Sequence, residues 1–212
     1  MIRCATRIAA LPLFALVLTS PAAAQGLPGG SHLLLGAGLD YRYVDVNFYE
    51  YNRGAWERQS QIAAVAVEAE WVFPLVPRFS IAPGLGASFG SASTTIYGNP
   101  GYGPGGTSEG AVMYRPEVFV EGTFLVLPRL EVLARAGYGA TAISSKTSTD
   151  WLRAGLAAVG ARYFFSRSFG VSASLETTFA ADGSSSNNSL EYSPSFENGT
   201  DWAASLRVCW RM

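Results

Sequence analysis

The sequence predicts an all-β fold: eight antiparallel strands in up-and-down order, closed into a barrel that crosses a membrane. Three observations predict it. Apolar and polar residues alternate with period two in eight segments, short turns alternate with longer polar loops between them, and aromatic residues gather at both ends of the apolar positions.

Strand one, about 33–43, sets Leu33, Leu35, Ala37, Leu39, Tyr41 and Tyr43 against Gly36, Gly38, Asp40 and Arg42. Strand two, about 61–73, sets Ala63, Val65, Val67, Ala69, Trp71 and Phe73 against Glu68 and Glu70. Strand three, "FSIAPGLGASFG" over 79–90, has Phe79, Ile81, Leu85 and Phe89 on one parity and only Gly, Ala and Ser on the other. Strand four, about 112–126, opposes Tyr114, Val118, Val120 and Phe124 to Arg115, Glu117 and Glu121. Strand five, about 130–142, opposes Leu130, Val132, Ala134, Ala136 and Tyr138 to Glu131, Arg135, Gly137 and Gly139.

Strand six, about 151–165, has Arg162 on its polar parity but Arg153 on the other, so a bulge near Ala157 is expected to bring both to one face. Strand seven, about 169–179, opposes Phe169, Val171, Leu175 and Phe179 to Gly170, Ser172, Ser174 and Glu176. Strand eight, about 201–212, opposes Trp202, Leu206, Val208 and Trp210 to Asp201, Ser205, Arg207 and Arg211.

The connections "FPLVPRF", "VLPRL" and "FSRSF" are short, whereas 44–60, 91–110, 143–150 and 180–200 are longer, polar or Gly-rich. An even-stranded meander then has three tight turns at one end together with both termini, and four loops at the other.

A soluble barrel turns its apolar face inward and a membrane barrel turns it outward, and alternation alone does not choose. Three features do. The polar parity is crowded with small residues, which suits the bore of an eight-stranded barrel, barely wide enough for its own side chains. Its charges are Arg, Glu and Asp, while Lys146, the only lysine, falls in a loop; guanidinium groups suit enclosed bidentate pairing. The expected interior network comprises Asp40, Arg42, Glu68, Glu70, Arg115, Glu117, Glu121, Glu131, Arg135, Arg153, Arg162, Glu176, Asp201, Arg207 and Arg211, close to charge balance.

The third feature is a pair of aromatic girdles. Tyr41, Tyr43, Phe89, Tyr114, Tyr138, Trp151, Phe179 and Trp202 come near the loop end, and Trp71, Phe73, Phe79, Tyr163, Phe165, Phe169 and Trp210 near the turn end. From Phe79 to Phe89, at roughly 3.3 Å per residue and a tilt near 45°, is about 23 Å. A membrane barrel carries an apolar band of about 25 Å between such girdles. One parity therefore meets lipid and the other a narrow packed bore, and a closed barrel leaves no backbone edge in hydrocarbon.

The opening "MIRCATRIAALPLFALVLTSPAAAQ" places Arg3 and Arg7 before an apolar stretch and Ala22-Ala23-Ala24, the pattern of a signal peptide over 1–24 cut before Gln25. The expected domain is then 25–212. Losing two arginines moves the net charge from -1 to -3, which offers no footprint for nucleic acid. Cys4 leaves with the signal, and Cys209 alone forms no intramolecular disulfide.

In this alternation and in the last strand "WAASLRVCWRM", the chain resembles the OmpA/OmpX-like family of small eight-stranded barrels of the Gram-negative outer membrane. Such chains generally end on an aromatic residue; this one has Trp210 two residues earlier and closes with Met212. The resemblance implies a porin-like outer-membrane location in the cell envelope, contact with outer-membrane lipid and lipopolysaccharide, and a monomer.

The interior charges have two readings, an ion gate or polar packing that fills the bore, and packing suits the narrow barrel better. Gly84-Leu85-Gly86 and Gly36-Ala37-Gly38 precede no helix and carry no nucleotide signal. Ser31 and His32 are of the types a lipid-modifying barrel employs, yet as neighbours on a strand they face opposite ways. Arg78, Arg129 and Arg167 stand one in each tight turn, either meeting phosphate head groups or standing in solvent. Tyr49, Tyr51, Trp56, Tyr97 and Tyr102 fall in the loops, where they either contact an extracellular partner or fold onto the barrel mouth. The reading that follows is a structural or surface-interaction protein with no catalysis, cofactor or metal. A narrow channel is the first alternative, a lipid-modifying enzyme the second.

Overall fold

The computed structural model describes residues 30–50, 54–97, 107–146, 148–187 and 195–212. The expected signal peptide, Tyr51 and Tyr102 lie outside them. Eight strands follow one another: β1 His32–Glu50, β2 Gly54–Val76, β3 Phe79–Tyr97, β4 Thr107–Leu127, β5 Leu130–Ser144, β6 Ser148–Phe164, β7 Phe169–Asn187 and β8 Ser195–Arg211. Each pairs antiparallel with the next, and β8 returns to β1 to close the barrel. Closure satisfies every strand edge within the protein.

The alternation fixes which way each strand faces. Along β1, His32, Leu34, Gly36, Asp40, Arg42, Val44 and Val46 are buried, and the odd-numbered residues between them turn outward. Leu39, Leu85, Val159 and Leu175 on the outer parity are 65, 63, 63 and 63 % exposed, whereas Arg42 and Arg115 are each 1 % exposed. The molecule is inverted relative to a water-soluble protein, with its hydrocarbon outside and its charge inside.

The strands run well beyond the segments anticipated from sequence. Most of 44–60, 91–97, 107–110, 180–187 and 195–200 is barrel wall rather than loop. The outer parity turns polar there, through Asp45, Asn47, Gln59, Gln61, Ser91, Ser93 and Thr95, so the apolar alternation fades while the ladder continues. Tyr49, Trp56 and Tyr97 belong to β1, β2 and β3, not to loops.

Turns and prolines mark the remaining irregularities. Pro77 and Pro128 sit in the tight turns after β2 and β4, where a missing N–H does no harm. Pro83 and Pro116 lie inside strands, and each coincides with a two-residue gap in one ladder, β2–β3 and β4–β5 respectively.

Strand six corrects an expectation. It alternates without interruption from Asp150 to Ala158, and no bulge occurs near Ala157. The β6–β7 register shifts instead between Arg153 and Gly155. Leu152, Ala154, Leu156 and Ala158 are buried in the bore, and Arg153 is exposed on the outer face, across the ladder from Asp182. Bulky apolar residues are needed inside at this height, and that requirement sets the parity of the strand.

Candidate functional site: a filled bore and two rims

The bore is filled in layers. At the turn end Leu34, Val72, Ala82, Phe164 and Cys209 form an apolar floor. The Cys209 thiol donates to Ser172 Oγ at 3.3 Å, the role of a small interior filler.

Above the floor lies the charged layer. Arg162 reaches Glu121 at 2.9 Å, Glu70 at 3.3 Å and Glu131 at 3.5 Å, and Arg211 reaches Glu131 at 3.0 Å. Arg135 is the hub: it holds Glu68, Glu70 and Glu121, each at 2.9 Å, and its guanidinium lies 3.7 Å from the centre of the Phe119 ring. Arg207 bridges Glu68 at 2.6 Å and Asp40 at 3.2 Å, and Ser88 donates to Asp40 at 2.9 Å. Higher still, Arg42 donates to both oxygens of Asp201 at 2.7 Å and to Glu176 at 3.0 Å. Arg115 joins the same two carboxylates at 2.9 and 2.7 Å. Glu117 is held less closely, 3.3 Å from Arg115 and 3.7 Å from Arg135.

All the expected network members except Arg153 meet in this layer. Six guanidinium groups face eight carboxylates here, a larger acidic excess than the sequence implied. Two aromatic rings escaped the sequence reading, Phe119 and Phe164, both on the inner parity, and each lies beneath a guanidinium. The narrow bore explains the glycines opposite. A Cβ on Gly84 would sit 2.4 Å from the Phe119 ring, one on Gly86 2.7 Å from the Glu117 carboxylate, and one on Gly139 2.9 Å from the Arg115 guanidinium. Large side chains project from β4 into space left by β3 and β5.

Toward the loop end a second apolar layer closes over the charges: Val44, Val46, Ile62, Ala64, Ala92, Ala111, Met113, Ile143 and Leu152. Ser60 and Thr94 share a hydrogen bond of 3.0 Å, and Arg58 pairs with Asp150 and, at 3.5 Å, with Glu109. Arg58, Asp150 and Glu109 were not anticipated. Arg58 shares its parity with Ser60 and Ile62, so carrying the alternation three residues beyond the expected start at 61 would have found it.

Both aromatic rims face outward. Trp202 packs with Tyr41 and Tyr43 at 5.9 and 6.0 Å on the loop side. Phe169 stacks on Trp210 at 5.8 Å, and Trp71 meets Phe73 at 6.5 Å, on the turn side. Tyr43 and Phe165 are half-buried, and the other expected girdle residues are exposed. Beyond the loop-side rim, partial burial, and then the neighbouring Glu57 carboxylate, raise the proton affinity of Asp45.

Ser31 is exposed and His32 is buried, with the imidazole donating to the Gly30 carbonyl at 3.3 Å. The pair therefore does not assemble as nucleophile and base. Among the described residues no group of three or more His, Cys, Asp or Glu is arranged to hold a metal ion.

No protein-family model matches the chain, and no curated protein matches it. Solved structures do. The outer membrane protein OprG from Pseudomonas aeruginosa aligns with a TM-score of 0.60 at 6 % identity, over 88 % of this chain and 98 % of that one. Ail, the attachment invasion locus protein of Yersinia pestis, aligns with a TM-score of 0.52 at 9 % identity, over 86 % of this chain and 99 % of that one; it has also been solved with the heparin analogue sucrose octasulfate. This chain has the fold of the small outer-membrane β-barrels.

Proposed function

We propose that the chain is an integral outer-membrane barrel with a structural or surface-interaction role, a solid stalk that neither conducts nor catalyses. The observation that carries this reading is the layered bore. Ions entering from the loop end pass Arg58, already paired with Asp150 and Glu109, and then meet Ile62, Met113, Leu152 and their neighbours, all buried. Beyond them, six arginines are already engaged by carboxylates, and the apolar floor follows. An ion crossing such a path loses its hydration twice without a free partner to replace it.

The wall above the loop-side rim supports the surface role. From Ala63, opposite Tyr41 at the rim, to Gly54 the strand β2 continues for nine residues, about 20 Å of rise at the usual strand repeat and tilt. Its own apolar core makes that extension rigid, and it lifts the loop ends away from the lipid surface. The described outer face there carries Asp45, Glu57 and Asp182 against Arg153 and Lys146. That balance does not favour a polysulfated ligand of the kind solved with Ail.

Planar-bilayer recording of the purified, refolded protein tests the reading. The expected result is no steady current at any holding potential. A reproducible ohmic step would overturn it in favour of a channel.

A further inference from the structure

We propose that the three tight turns form a cationic collar that binds the head groups of anionic glycerophospholipids in the leaflet at the turn end. The proposal rests on reading the apolar outer face as lipid-facing. Arg78, Arg129 and Arg167 stand one per turn, two exposed and one half-exposed, and each lies within two residues of the turn-side aromatic or aliphatic rim at Phe79, Leu130 and Phe169. That is the height at which a bilayer presents its phosphates.

The turns are fixed, not merely adjacent. Leu125 N–H of β4 donates to the Arg78 carbonyl at 2.8 Å, and Phe164 N–H of β6 donates to the Arg129 carbonyl at 2.9 Å. Just before β7 begins, Arg211 N–H donates to the Ser168 carbonyl at 2.7 Å. Each turn is thereby tied to the neighbouring hairpin, so the three guanidinium groups are spaced around the rim by backbone hydrogen bonds.

Charge at this end is one-sided. Glu131, the described acidic residue nearest the turns, points into the bore and is taken by Arg162 and Arg211. The acids among the described residues that are not buried, the exposed Asp182 and the half-buried Asp45, Glu57 and Glu109, all lie beyond the opposite rim. Among the described residues at the turn end no acidic side chain is left to compete with a phosphate for the collar. Phosphatidylcholine offers a phosphate already offset by its own choline, whereas phosphatidylglycerol leaves the charge for the guanidinium, which suits bidentate pairing.

Native mass spectrometry of the full barrel, released from micelles containing equimolar phosphatidylglycerol and phosphatidylcholine, measures the preference directly. The wild type is expected to retain phosphatidylglycerol preferentially, on the order of fivefold for each arginine. Arg78→Gln, Arg129→Gln and Arg167→Gln together should abolish the preference, each alone should remove one step, and Arg153→Gln on the opposite side should change nothing. A heat-dependent gel shift confirms that each variant is folded. A triple variant that keeps the preference, or a wild type with none, overturns the collar alone. Displacement of the lipid by millimolar inorganic phosphate also overturns it, in favour of a free-anion site. A folded chain that retains no lipid of either kind overturns the lipid-facing reading as well.

Discussion

Replacing Arg135 by methionine removes the hub of the charged layer while keeping its approximate length. Arg135 is 7 % exposed and makes its three close contacts with Glu68, Glu70 and Glu121, which are 7, 1 and 0 % exposed. Removing one partner of a buried ion pair costs about 3–5 kcal/mol, because the charges left behind keep their desolvation without compensation. Loss of the stack on Phe119 adds about 0.5–2 kcal/mol. The layer holds six guanidiniums against eight carboxylates, so Arg135→Met worsens the imbalance and Glu117→Gln reduces it. Glu117 is also the least closely held acid. The expected cost of Glu117→Gln is therefore below about 1 kcal/mol, within the range of an uncritical replacement. Arg153→Met, on the exposed outer face, should stay within about 0.5 kcal/mol of the wild type. Urea unfolding of the refolded barrel in lipid vesicles, followed by tryptophan fluorescence, measures all three. If Arg153→Met proved as damaging as Arg135→Met, or Glu117→Gln equalled it, the charge accounting in the bore would be wrong.

Other substitutions probe other layers. Leu85→Arg places a charge near the middle of the apolar band and should cost about 2–4 kcal/mol in vesicles; a neutral result in the same unfolding assay would refute the lipid-facing assignment. Gly84→Val drives a side chain into Phe119 and toward the Ala69 carbonyl, for an overpacking cost of about 1–3 kcal/mol, and Phe119→Ala in the same chain should recover part of it by thermal gel shift. Asp45 has a raised folded-state pKa, so its contribution favours the fold below the ordinary carboxylate range and is lost as pH rises through the raised value. Asp45→Asn should consequently melt slightly higher than the wild type at neutral pH and level with it in acid; a gap that widened in acid would reverse the sign.

The fold was legible in the sequence because a barrel wall obeys one rule, and β5, with both faces well contrasted, shows it: the expected 130–142 became Leu130–Ser144. The wall above the rim was not, because Asp45, Gln59 and Ser93 face water outside while Val44 and Ile62 face inward, so the polarity of the alternation reverses there. The same reversal misplaced Arg153. The reading assumed charge always points inward, but Leu152 and Leu156 take those positions in the upper bore. Fourteen of the fifteen anticipated network residues converge, because Arg, Glu and Asp on the inner parity of the lower barrel have nowhere else to go. Phe119 and Phe164 were hidden by the expectation that aromatic rings belong to the girdle.

The seam between β1 and β8 gives the charged layer a temporal meaning. Arg42 is matched by Asp201, and Asp40 by Arg207, across sequence separations of 159 and 167 residues, while the other wall contacts form between successive strands. A chain delivered from its N-terminus holds Arg42 without a carboxylate until Glu176 of β7 and Asp201 of β8 arrive, and Asp40 without a guanidinium until Arg207 of β8 arrives. Completion of the interior and closure of the wall are thus a single late event, and a product missing its last strand is left with open charges as well as an open edge.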